Sequence, residues 1–218
     1  MDENKIPLVS SMRQNYRRGR LRREDLMDSP VAQFTAWLNE AVAAQVLEPN
    51  AMALATASAQ GRPSCRTVLL KQYSEQGFLF FTNLKSRKAD ELKENPYAMA
   101  VFFWDVLERQ VSIEGKVERV SDAEADTYFT TRPRASQIAS WASPQGNILP
   151  SREILDQAFN QAALHYQDQP IPRPPFWGGY RLIPNRFEFW QGGLDRLHDR
   201  FQYLLDNQNA WEIERVAP

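Results

Sequence analysis

Residues 51–82 read AMALATASAQGRPSCRTVLLKQYSEQGFLFFT, and this stretch decides the fold. Three runs within it are rich in apolar and β-branched residues, as strands are: 51–57, 66–71 and 77–82. Turn-forming residues separate the runs, first at Gln60-Gly61 and then at 74–77. Because strands joined by such short turns usually pair in opposite directions, the stretch predicts an antiparallel meander.

The chain before this stretch predicts a basic arm followed by one helix. Ser29 suits the N-cap and Pro30 the first helical position, and apolar residues then recur at helical spacing to about Leu47. Residues 1–28 are expected to form a mobile arm that carries six closely spaced arginines: Arg13, Arg17, Arg18, Arg20, Arg22 and Arg23. These side chains are either simply solvated or bind an anion, and the sequence leaves both interpretations open.

After residue 82, strands and helices follow each other irregularly. Strands are predicted at 99–103, 109–120, 180–184, 186–191, 201–205 and 211–216, with a hairpin turn at 207–209. Helices are predicted at 86–95, 121–129 and 151–166, and the proline-rich segment 169–179 is predicted to be a loop. This order favours a mainly β fold of the α+β class, an antiparallel barrel with helices packed around it, formed by residues 29–218 as one domain. The sequence has no Gly-x-Gly-x-x-Gly motif, which argues against a Rossmann-type dinucleotide site.

Composition indicates a globular protein of a reducing compartment. Hydrophobic residues make up 43% and charged residues 24% of the chain, far from the composition of disordered proteins. The one cysteine, Cys65, cannot pair within the chain, the N-terminus is too polar for a signal peptide, and no apolar run is long enough to span a membrane. A net charge of −1, with Tyr16 alone among the arm's arginines, argues against nucleic acid as a partner. We therefore expect a soluble, cytoplasmic protein that binds neither nucleic acid nor membrane.

Three basic groups are candidate anion sites. Arg66 and Lys71 stand at the two ends of one predicted strand, and Ser86-Arg87-Lys88 opens a helix whose free N–H groups favour a phosphate. The third group surrounds the end of another helix and consists of Tyr128, Arg132, Arg134 and Ser136. For each group the alternative is a solvated set of side chains, and local sequence does not decide between the two.

The densest group of polar side chains lies in FEFWQGGLDRLHDR, residues 187–200. Arg196, His198 and Arg200 alternate there, so an extended chain would point all three the same way. An imidazole in such a row can donate hydrogen bonds to a ligand or move a proton. Elsewhere the sequence has no metal-site spacing, no hydrolase motif and no partner for a reactive Cys65, and His165 is assigned a structural role.

The same segment closely resembles the signature of the pyridoxine/pyridoxamine 5′-phosphate oxidases. The resemblance rests on Glu188, the aromatic residue at 189, Trp190 and the run Arg196-Leu197-His198-Asp199-Arg200. It extends over nearly the whole chain, through RTVLLK at 66–71, FTNLKSRKA at 81–89, LERQV at 107–111, YFTTRPRASQIASW at 128–141 and FWGGYR at 176–181.

The resemblance implies a split β-barrel that binds flavin mononucleotide (FMN) at the interface of a homodimer. It also implies oxidation of pyridoxine or pyridoxamine 5′-phosphate to pyridoxal 5′-phosphate by O2, with H2O2 as by-product and NH3 released from the amine. The family's flavin contacts correspond here to Arg66, Thr67, Val68, Leu69, Leu70, Lys71, Phe81, Thr82, Arg87, Lys88, Gln110, Gln145, Gly146, Trp190 and Arg200. Phe81 replaces an expected tyrosine and Gly146 an expected serine, so each position lacks a side-chain hydroxyl.

The resemblance also assigns the substrate contacts. The substrate phosphate would lie on Lys71, Tyr128, Arg132 and Ser136, and Arg196 and His198 would face the pyridine ring as the catalytic pair. Arg13 and Tyr16 would close over the site from the arm. Two alternatives remain: a flavin oxidase of the same fold with another substrate, as in phenazine biosynthesis, and a non-catalytic protein that stores flavin or pyridoxal 5′-phosphate.

Overall fold

The computed structural model describes residues 15–16 and 19–218, and the chain divides into two compact units. The larger unit contains Leu47–Phe102 and Ser112–Phe187. The smaller unit contains the N-terminal part through Val46, together with Phe103–Val111 and Glu188–Pro218. None of the helices in the described residues is long and apolar enough to cross a membrane.

Nine strands and five α-helices make up the secondary structure of the described residues. The strands are β1 (Ala51–Ala57), β2 (Pro63–Leu69), β3 (Gln72–Ser74), β4 (Gly77–Asn83), β5 (Tyr97–Trp104), β6 (Arg109–Arg119), β7 (Trp177–Gln191), β8 (Asp199–Leu205) and β9 (Trp211–Val216). The helices are α1 (Pro30–Ala43), α2 (Arg87–Glu94), α3 (Asp122–Thr130), α4 (Arg134–Ala142) and α5 (Arg152–His165). The predicted mixed fold, mainly antiparallel sheet with several helices, is confirmed.

The sheet follows the order β2-β1-β5-β6-β7-β4-β3, and β8 pairs with both β7 and β9. The first hairpin of the predicted meander is correct, because β1 pairs with β2 in antiparallel register. The prediction is wrong at the next step, since β4 pairs with β3 and β7 and not with β2. Nearly every residue of β4 is buried, so this strand needs a partner along each edge, and the distant strand β7 provides the second one.

The core of the larger unit follows the alternation of its strands. In β1, Met52, Leu54 and Thr56 are buried while the alanines between them are half-buried. Ile113 and Val117 of β6 are buried together, as their shared face predicts. Each such apolar side chain contributes about 1.5–3 kcal/mol by leaving water.

Two helix predictions differ from the structure. Helix α1 begins as predicted, with the Ser29 hydroxyl accepting a hydrogen bond from the Ala32 N–H, but it ends at Ala43 and not near Leu47. Gln45 adopts a positive φ of 56°, which no helix interior allows. Helix α4 was not predicted, although it begins directly after Pro133, a residue that stops one helix and starts the next.

The predicted loop 169–179 is wrong over its last three residues. Asn83 pairs with Trp177 and Phe81 with Gly179, so β7 begins at Trp177. The two strands predicted at 180–184 and 186–191 are consequently parts of one long strand. At its centre Gly115 of β6 lies so close to β7 that a Cβ atom on it would lie 1.9 Å from the Ile183 carbonyl oxygen.

In the smaller unit, α1 packs against the end of β7, which in turn packs against β8. Trp37 contacts Phe189 edge-on at 5.2 Å between ring centroids, and Phe189 contacts Tyr203 at 5.4 Å. Part of the predicted arm belongs to this unit: Leu21 is buried, and its N–H donates to the Asp199 carboxylate at 3.0 Å. The Tyr203 hydroxyl donates to the Met27 carbonyl at 2.7 Å, which fixes the segment just before α1.

Candidate functional site

A cavity of about 700 Å³ opens in the larger unit, between β2, β4, α2 and α4. Four cationic side chains line it: Arg66, Arg87, Lys88 and Arg132. Among the described residues that line the cavity there is no aspartate or glutamate. A concave site with this charge pattern attracts an anion with several negative oxygens, such as a phosphate.

Lys88 is the buried cation of the cavity, and its hydrogen-bond partners are neutral. It lies in the first turn of α2, is only 7% exposed, and its Nζ donates to three neutral acceptors. These are Thr82 Oγ1 at 3.0 Å, Ser86 Oγ at 3.2 Å and Gln145 Oε1 at 3.3 Å. Within the described part of the chain no carboxylate pairs with Lys88, and burial, followed by the charge of Arg66, lowers its pKa. A buried cation without a counter-charge is costly, and a bound anion would remove that cost.

Arg66 and Arg87 share one buried carboxylate, Glu91, behind the cavity wall. Arg87 Nε donates to Glu91 Oε1 at 2.8 Å, and Arg66 Nη2 lies 3.4 Å from Glu91 Oε2. Burial alone would raise the pKa of Glu91, but hydrogen bonds from Ser64, Thr56 and Arg87 outweigh it and lower the pKa to about 2. Glu91 is therefore ionised at neutral pH, and both arginines are held by it.

Arg132 lies at the other side of the cavity, on a layer of aromatic rings. Its guanidinium lies 4.8 Å from the Trp177 ring centroid and donates from Nη1 to Ser140 Oγ at 2.6 Å. Burial lowers the pKa of Arg132, although the nearby Tyr128 raises it. Phe81 stacks on Tyr128 at 4.1 Å and on Trp177 at 5.2 Å, so the three rings form one rigid wall.

Most of the predicted flavin and phosphate contacts meet at this cavity, although they come from distant parts of the sequence. Those that line it are Arg66, Thr67, Val68, Phe81, Thr82, Arg87, Lys88, Arg132, Ser136, Gln145 and Gly146. Leu69, Leu70, Lys71 and Tyr128 belong to the same unit but are not lining residues. Gln110, Trp190, Arg196, His198, Arg200 and Tyr16 belong to the smaller unit, and Arg13 lies outside the described residues.

Several residues of the cavity were missed by the sequence analysis. Ser64 lines it beside Arg66, and a two-residue offset on a strand would have placed both on one face. Ser140 follows Ser136 by one helical turn, but this signal requires α4, which was not predicted. Trp177 was assigned to a loop and is instead the first residue of β7.

The part of the segment 187–200 that belongs to the smaller unit, residues 188–200, builds a second polar group. The Tyr16 ring lies 5.5 Å from Trp190 and 5.6 Å from His198, and Trp190 lies 4.7 Å from His198. His198 Nδ1 accepts a hydrogen bond from the Gly193 N–H at 3.1 Å. Burial, followed by the charges of Arg196 and Arg200, lowers the pKa of His198, so the imidazole is neutral at pH 7.

The predicted row of Arg196, His198 and Arg200 does not form. Residues 194–196 are a turn of 3₁₀-helix in which Asp195 and Arg196 have φ of 53° and 67°, and β8 begins only at Asp199. Arg200 is already engaged, because it donates from Nε and Nη2 to the two oxygens of Glu188 at 3.0 and 2.9 Å. The Glu188 hydrogen bond is the main reason that the pKa of Arg200 is raised.

Two protein-family models match the chain. Residues 38–166 match the model described as pyridoxamine 5′-phosphate oxidase. Residues 177–218 match the model described as the C-terminal dimerisation region of pyridoxine 5′-phosphate oxidase. Together the two matches contain every candidate residue except Arg13 and Tyr16.

Similar proteins agree with these matches. The pyridoxine/pyridoxamine 5′-phosphate oxidase of Rippkaea orientalis is 51% identical over 210 residues, which cover 96% of this chain and 99% of the relative. The protein of the same name from Bordetella pertussis is 52% identical over 210 residues, with the same coverage. Among solved structures, PhzG from Burkholderia lata, in complex with tetrahydrophenazine-1-carboxylic acid, superposes with a TM-score of 0.84 at 35% identity and covers 89% of this chain and 95% of its own.

Proposed function

Because the chain belongs to the pyridoxine/pyridoxamine 5′-phosphate oxidase family, we propose that it oxidises pyridoxine and pyridoxamine 5′-phosphate to pyridoxal 5′-phosphate with FMN and O2. The observation that carries the proposal is the cavity, where Lys88 and Arg132 are cations without a carboxylate partner among the described residues. Both FMN and the substrate bring a phosphate, and each phosphate supplies the missing negative charge.

The residues of the cavity fit the phosphate end of FMN. Lys88 Nζ is buried, and Arg66 and Arg87 flank the same cavity from β2 and from the start of α2. Thr82 and Gln145 hold Lys88 and are polar enough to contact the cofactor as well. At Phe81 and Gly146 only backbone groups are available for polar contacts, because neither side chain has a hydroxyl.

Arg132 and Ser136 are the proposed contacts of the substrate phosphate. Arg132 is pre-oriented by Ser140 and Trp177, so it loses little rotamer freedom on binding. Tyr128 would add its hydroxyl at the edge of the ring stack, and Lys71 would add a further charge from the connection after β2, which ends at Leu69. A substrate without a phosphate would leave Arg132 without a counter-charge and should bind poorly.

When bound, FMN would supply the redox chemistry, a two-electron oxidation of the substrate with reduction of O2 to H2O2. The alcohol then yields the aldehyde directly, whereas the amine also consumes water and releases NH3. Arg196 and His198 are the proposed contacts of the pyridine ring. Because Nδ1 of the neutral His198 accepts from Gly193, its proton is on Nε2, which is therefore a donor for the ring. Arg13 and Tyr16 are proposed to cover the substrate from the arm.

A second copy of the chain is the proposed partner, with FMN at the interface. The outward face of β2, β1 and β5 carries two registered rows of small and apolar residues: Cys65-Ala55-Met99 and Thr67-Ala53-Val101. Met99 is 36% exposed, and Cys65 and Thr67 also line the cavity, so a partner seated on this face would reach the cavity. If the proposal is right, Met99→Arg gives a monomer by light scattering and also weakens FMN binding. A monomeric variant with unchanged FMN affinity would contradict the proposal that FMN binds at the interface.

The alternative with a specific observation in its favour is an oxidase of the phenazine-biosynthesis type. Its support is the structural likeness to PhzG, whose crystal structure contains tetrahydrophenazine-1-carboxylic acid. Arg132 and Ser136 favour the phosphorylated substrate, since a carboxylic acid without phosphate needs fewer cations. The two functions separate when the protein is offered each substrate class in turn.

The deciding experiment is an absorbance spectrum of the purified protein, recorded before and after addition of pyridoxine 5′-phosphate, without and with air. We expect a flavin spectrum that bleaches without air, recovers with air, and is accompanied by pyridoxal 5′-phosphate. A flavin that responds only to reduced phenazine carboxylic acids would support the PhzG-like alternative. A flavin that responds to neither would leave storage or a flavin oxidase of the same fold with another substrate. We also keep the prediction of a cytoplasmic location, based on the single unpaired Cys65.

A further inference from the structure

Glu91 is a buried carboxylate that the proposed reaction does not use. It lies on α2, is 5% exposed, and accepts hydrogen bonds from the hydroxyls of Thr56 and Ser64 and from Arg87. Arg66 completes the set with an ion pair at 3.4 Å. An ionised acid so close to a cationic cavity opposes the binding of an anion by its charge, so its presence there requires a reason.

The hydroxyls of Thr56 and Ser64 connect Glu91 to Arg66. Each hydroxyl accepts from the guanidinium and donates to Glu91 Oε2, so the orientation of both hydroxyls depends on the carboxylate. Arg66 uses Nη1 on the Leu54 carbonyl and Thr56, and Nη2 on Ser64 and Glu91. These four contacts fix the plane of the guanidinium. Its Nε–H has no acceptor in the described part of the chain and is available to a ligand.

Glu91 holds Arg87 in the complementary way. It accepts from Nε, and within the described residues the terminal nitrogens Nη1 and Nη2 of Arg87 have no acceptor. The Arg87 side chain is otherwise 68% exposed, so without this contact it would sample many rotamers. One carboxylate thus orients two guanidinium groups on two different elements, β2 and α2.

We propose that Glu91 is a positioning residue that orients Arg66 and Arg87 toward the phosphate of the flavin. The inference rests on the proposed function, because it assumes that this cavity receives the phosphate of FMN. Glu91 acts through the arginines and does not touch the cofactor. The affinity for FMN that is gained by orienting the two arginines exceeds the affinity that is lost by repulsion between Glu91 and the phosphate. Removing the charge of Glu91 should therefore raise Kd for FMN and not lower it.

The test compares Glu91→Gln with Glu94→Gln in the full-length protein freed of flavin. Gln keeps the shape of Glu91 but removes its charge. Glu94 lies one turn away on the exposed side of α2 and, among the described residues, accepts only from the Ala59 N–H. Quenching of flavin fluorescence gives Kd for FMN and for riboflavin, which lacks the phosphate. For Glu91→Gln we expect Kd for FMN to rise about tenfold, with riboflavin changed by less than about twofold. Glu94→Gln should change neither value.

Three outcomes would overturn the inference. An unchanged or lower Kd for FMN in Glu91→Gln would mean that Glu91 only opposes the anion by its charge. Equal losses for FMN and riboflavin would mean a purely structural role. If Glu91→Gln does not fold, Glu91→Asp replaces it: this variant keeps the charge, shortens the reach to both arginines and should show the same FMN-specific loss, and its absence would again overturn the inference.

The result is separable from the test of function. A wild-type protein that binds no FMN would defeat the proposed function itself. A wild-type protein that binds FMN and oxidises pyridoxine 5′-phosphate, alongside a Glu91→Gln variant of equal FMN affinity, would defeat only the role of Glu91.

Discussion

The cavity lies in the larger unit, and nearly all of the segment 187–200 lies in the smaller unit. Both are rich in cationic side chains, but they differ in whether a carboxylate of the protein pairs with the cation. In the segment, the Arg200 guanidinium donates along one edge, from Nε and Nη2, to the two carboxylate oxygens of Glu188 at 3.0 and 2.9 Å. In the cavity, Lys88 has three hydrogen-bond acceptors and, among the described residues, no carboxylate. The charge of Arg200 is therefore paired within the protein, whereas the charge of Lys88 is paired with no carboxylate of the described residues.

This difference indicates where ligand charge is needed. Arg200, whose guanidinium already donates to Glu188 and to the Ala217 carbonyl, gains little from a new anion. A buried, unpaired lysine destabilises the ligand-free protein. Binding of an anion removes this destabilisation, so the free energy that burial of the lysine costs is recovered as binding affinity. The resemblance in sequence includes both regions. The structure distinguishes Lys88, which has no carboxylate partner among the described residues, from Arg200, which is paired with Glu188.

The largest effect should come from Lys88→Met. A hydrogen bond to a charged group is worth roughly 1.5–3 kcal/mol, so Kd for FMN should rise by about 10- to 150-fold in a fluorescence titration. The flavin-free variant should unfold at the same or a higher temperature, because the cost of the buried charge is gone. Lys85→Met, which removes an exposed lysine from the turn before α2, is the matched control. Unchanged FMN affinity together with lower stability would make Lys88 a structural residue and break the comparison.

Arg200→Met tests the other region and should act on stability. It leaves the Glu188 carboxylate, whose side chain is 13% exposed, without its bidentate partner, at a cost of about 2 kcal/mol in the free energy of unfolding. Arg186→Met is the control, since the Arg186–Glu114 pair is half-exposed with its atoms 3.8 Å apart, and its loss should cost about 0.5 kcal/mol or less. Urea denaturation measures both. If Arg200→Met were as stable as the control, the contrast between paired and unpaired cations would not hold.

A pair of glycine substitutions sharpens the comparison further. A Cβ atom at Gly179 would lie 2.6 Å from Cε1 of Phe81 in the cavity wall, and one at Gly192 would lie 2.7 Å from Cγ of Tyr16. Overpacking of this kind costs about 1–3 kcal/mol, so Gly179→Ala should raise Kd for FMN by about tenfold. Gly192→Ala should instead raise KM for pyridoxine 5′-phosphate and leave Kd for FMN unchanged. Equal changes in both constants for both variants would show that the two regions do not divide these tasks.

The smallest effect concerns the pH dependence of His198. Its pKa in the folded protein lies below the ordinary 6.5, so the folded state favours the neutral ring. The stability that this provides is present above pH 6.5 and is lost as the pH falls from 6.5 through the lowered pKa.

His198→Asn tests this dependence because the Asn oxygen can still accept from Gly193 but does not titrate. Thermal unfolding between pH 5 and 8 should therefore be flatter for the variant than for the wild type. His165→Asn, at the exposed end of α5, controls for the loss of a histidine. A wild-type profile identical to that of His198→Asn would contradict the lowered pKa of His198.

The strands were predictable because their signal is local. The alternation of AMALATA returns in β1 as Met52, Leu54 and Thr56 buried in turn. The partners of the strands were not predictable in this way, since β4 pairs with β7, about a hundred residues further along the chain. Helix α4 escaped because its residues, RASQIASWA, are mostly small or polar and directly follow a proline that also ends α3.

The sequence predicted which kind of ligand the site would bind, an anion, but not the contacts and the burial that favour its binding. Local sequence makes Ser86-Arg87-Lys88 a candidate anion site. The features that favour anion binding there are not local, because they are the contact of Lys88 with Gln145, 57 residues away, and the burial of Lys88. The segment 187–200 was recognised by resemblance, but its shape was not, because the positive φ of Asp195 and Arg196 is rare for such residues.

The exposed thiol of Cys65 has a practical consequence. It is the only sulfur nucleophile of the chain, it lines the cavity, and it belongs to the row that a second copy is proposed to cover. A maleimide dye or nitroxide spin label would therefore attach at one place only, without any engineered cysteine. Labelling that slows as protein concentration rises would report assembly, and labelling that slows on addition of FMN at constant concentration would report cofactor occupancy.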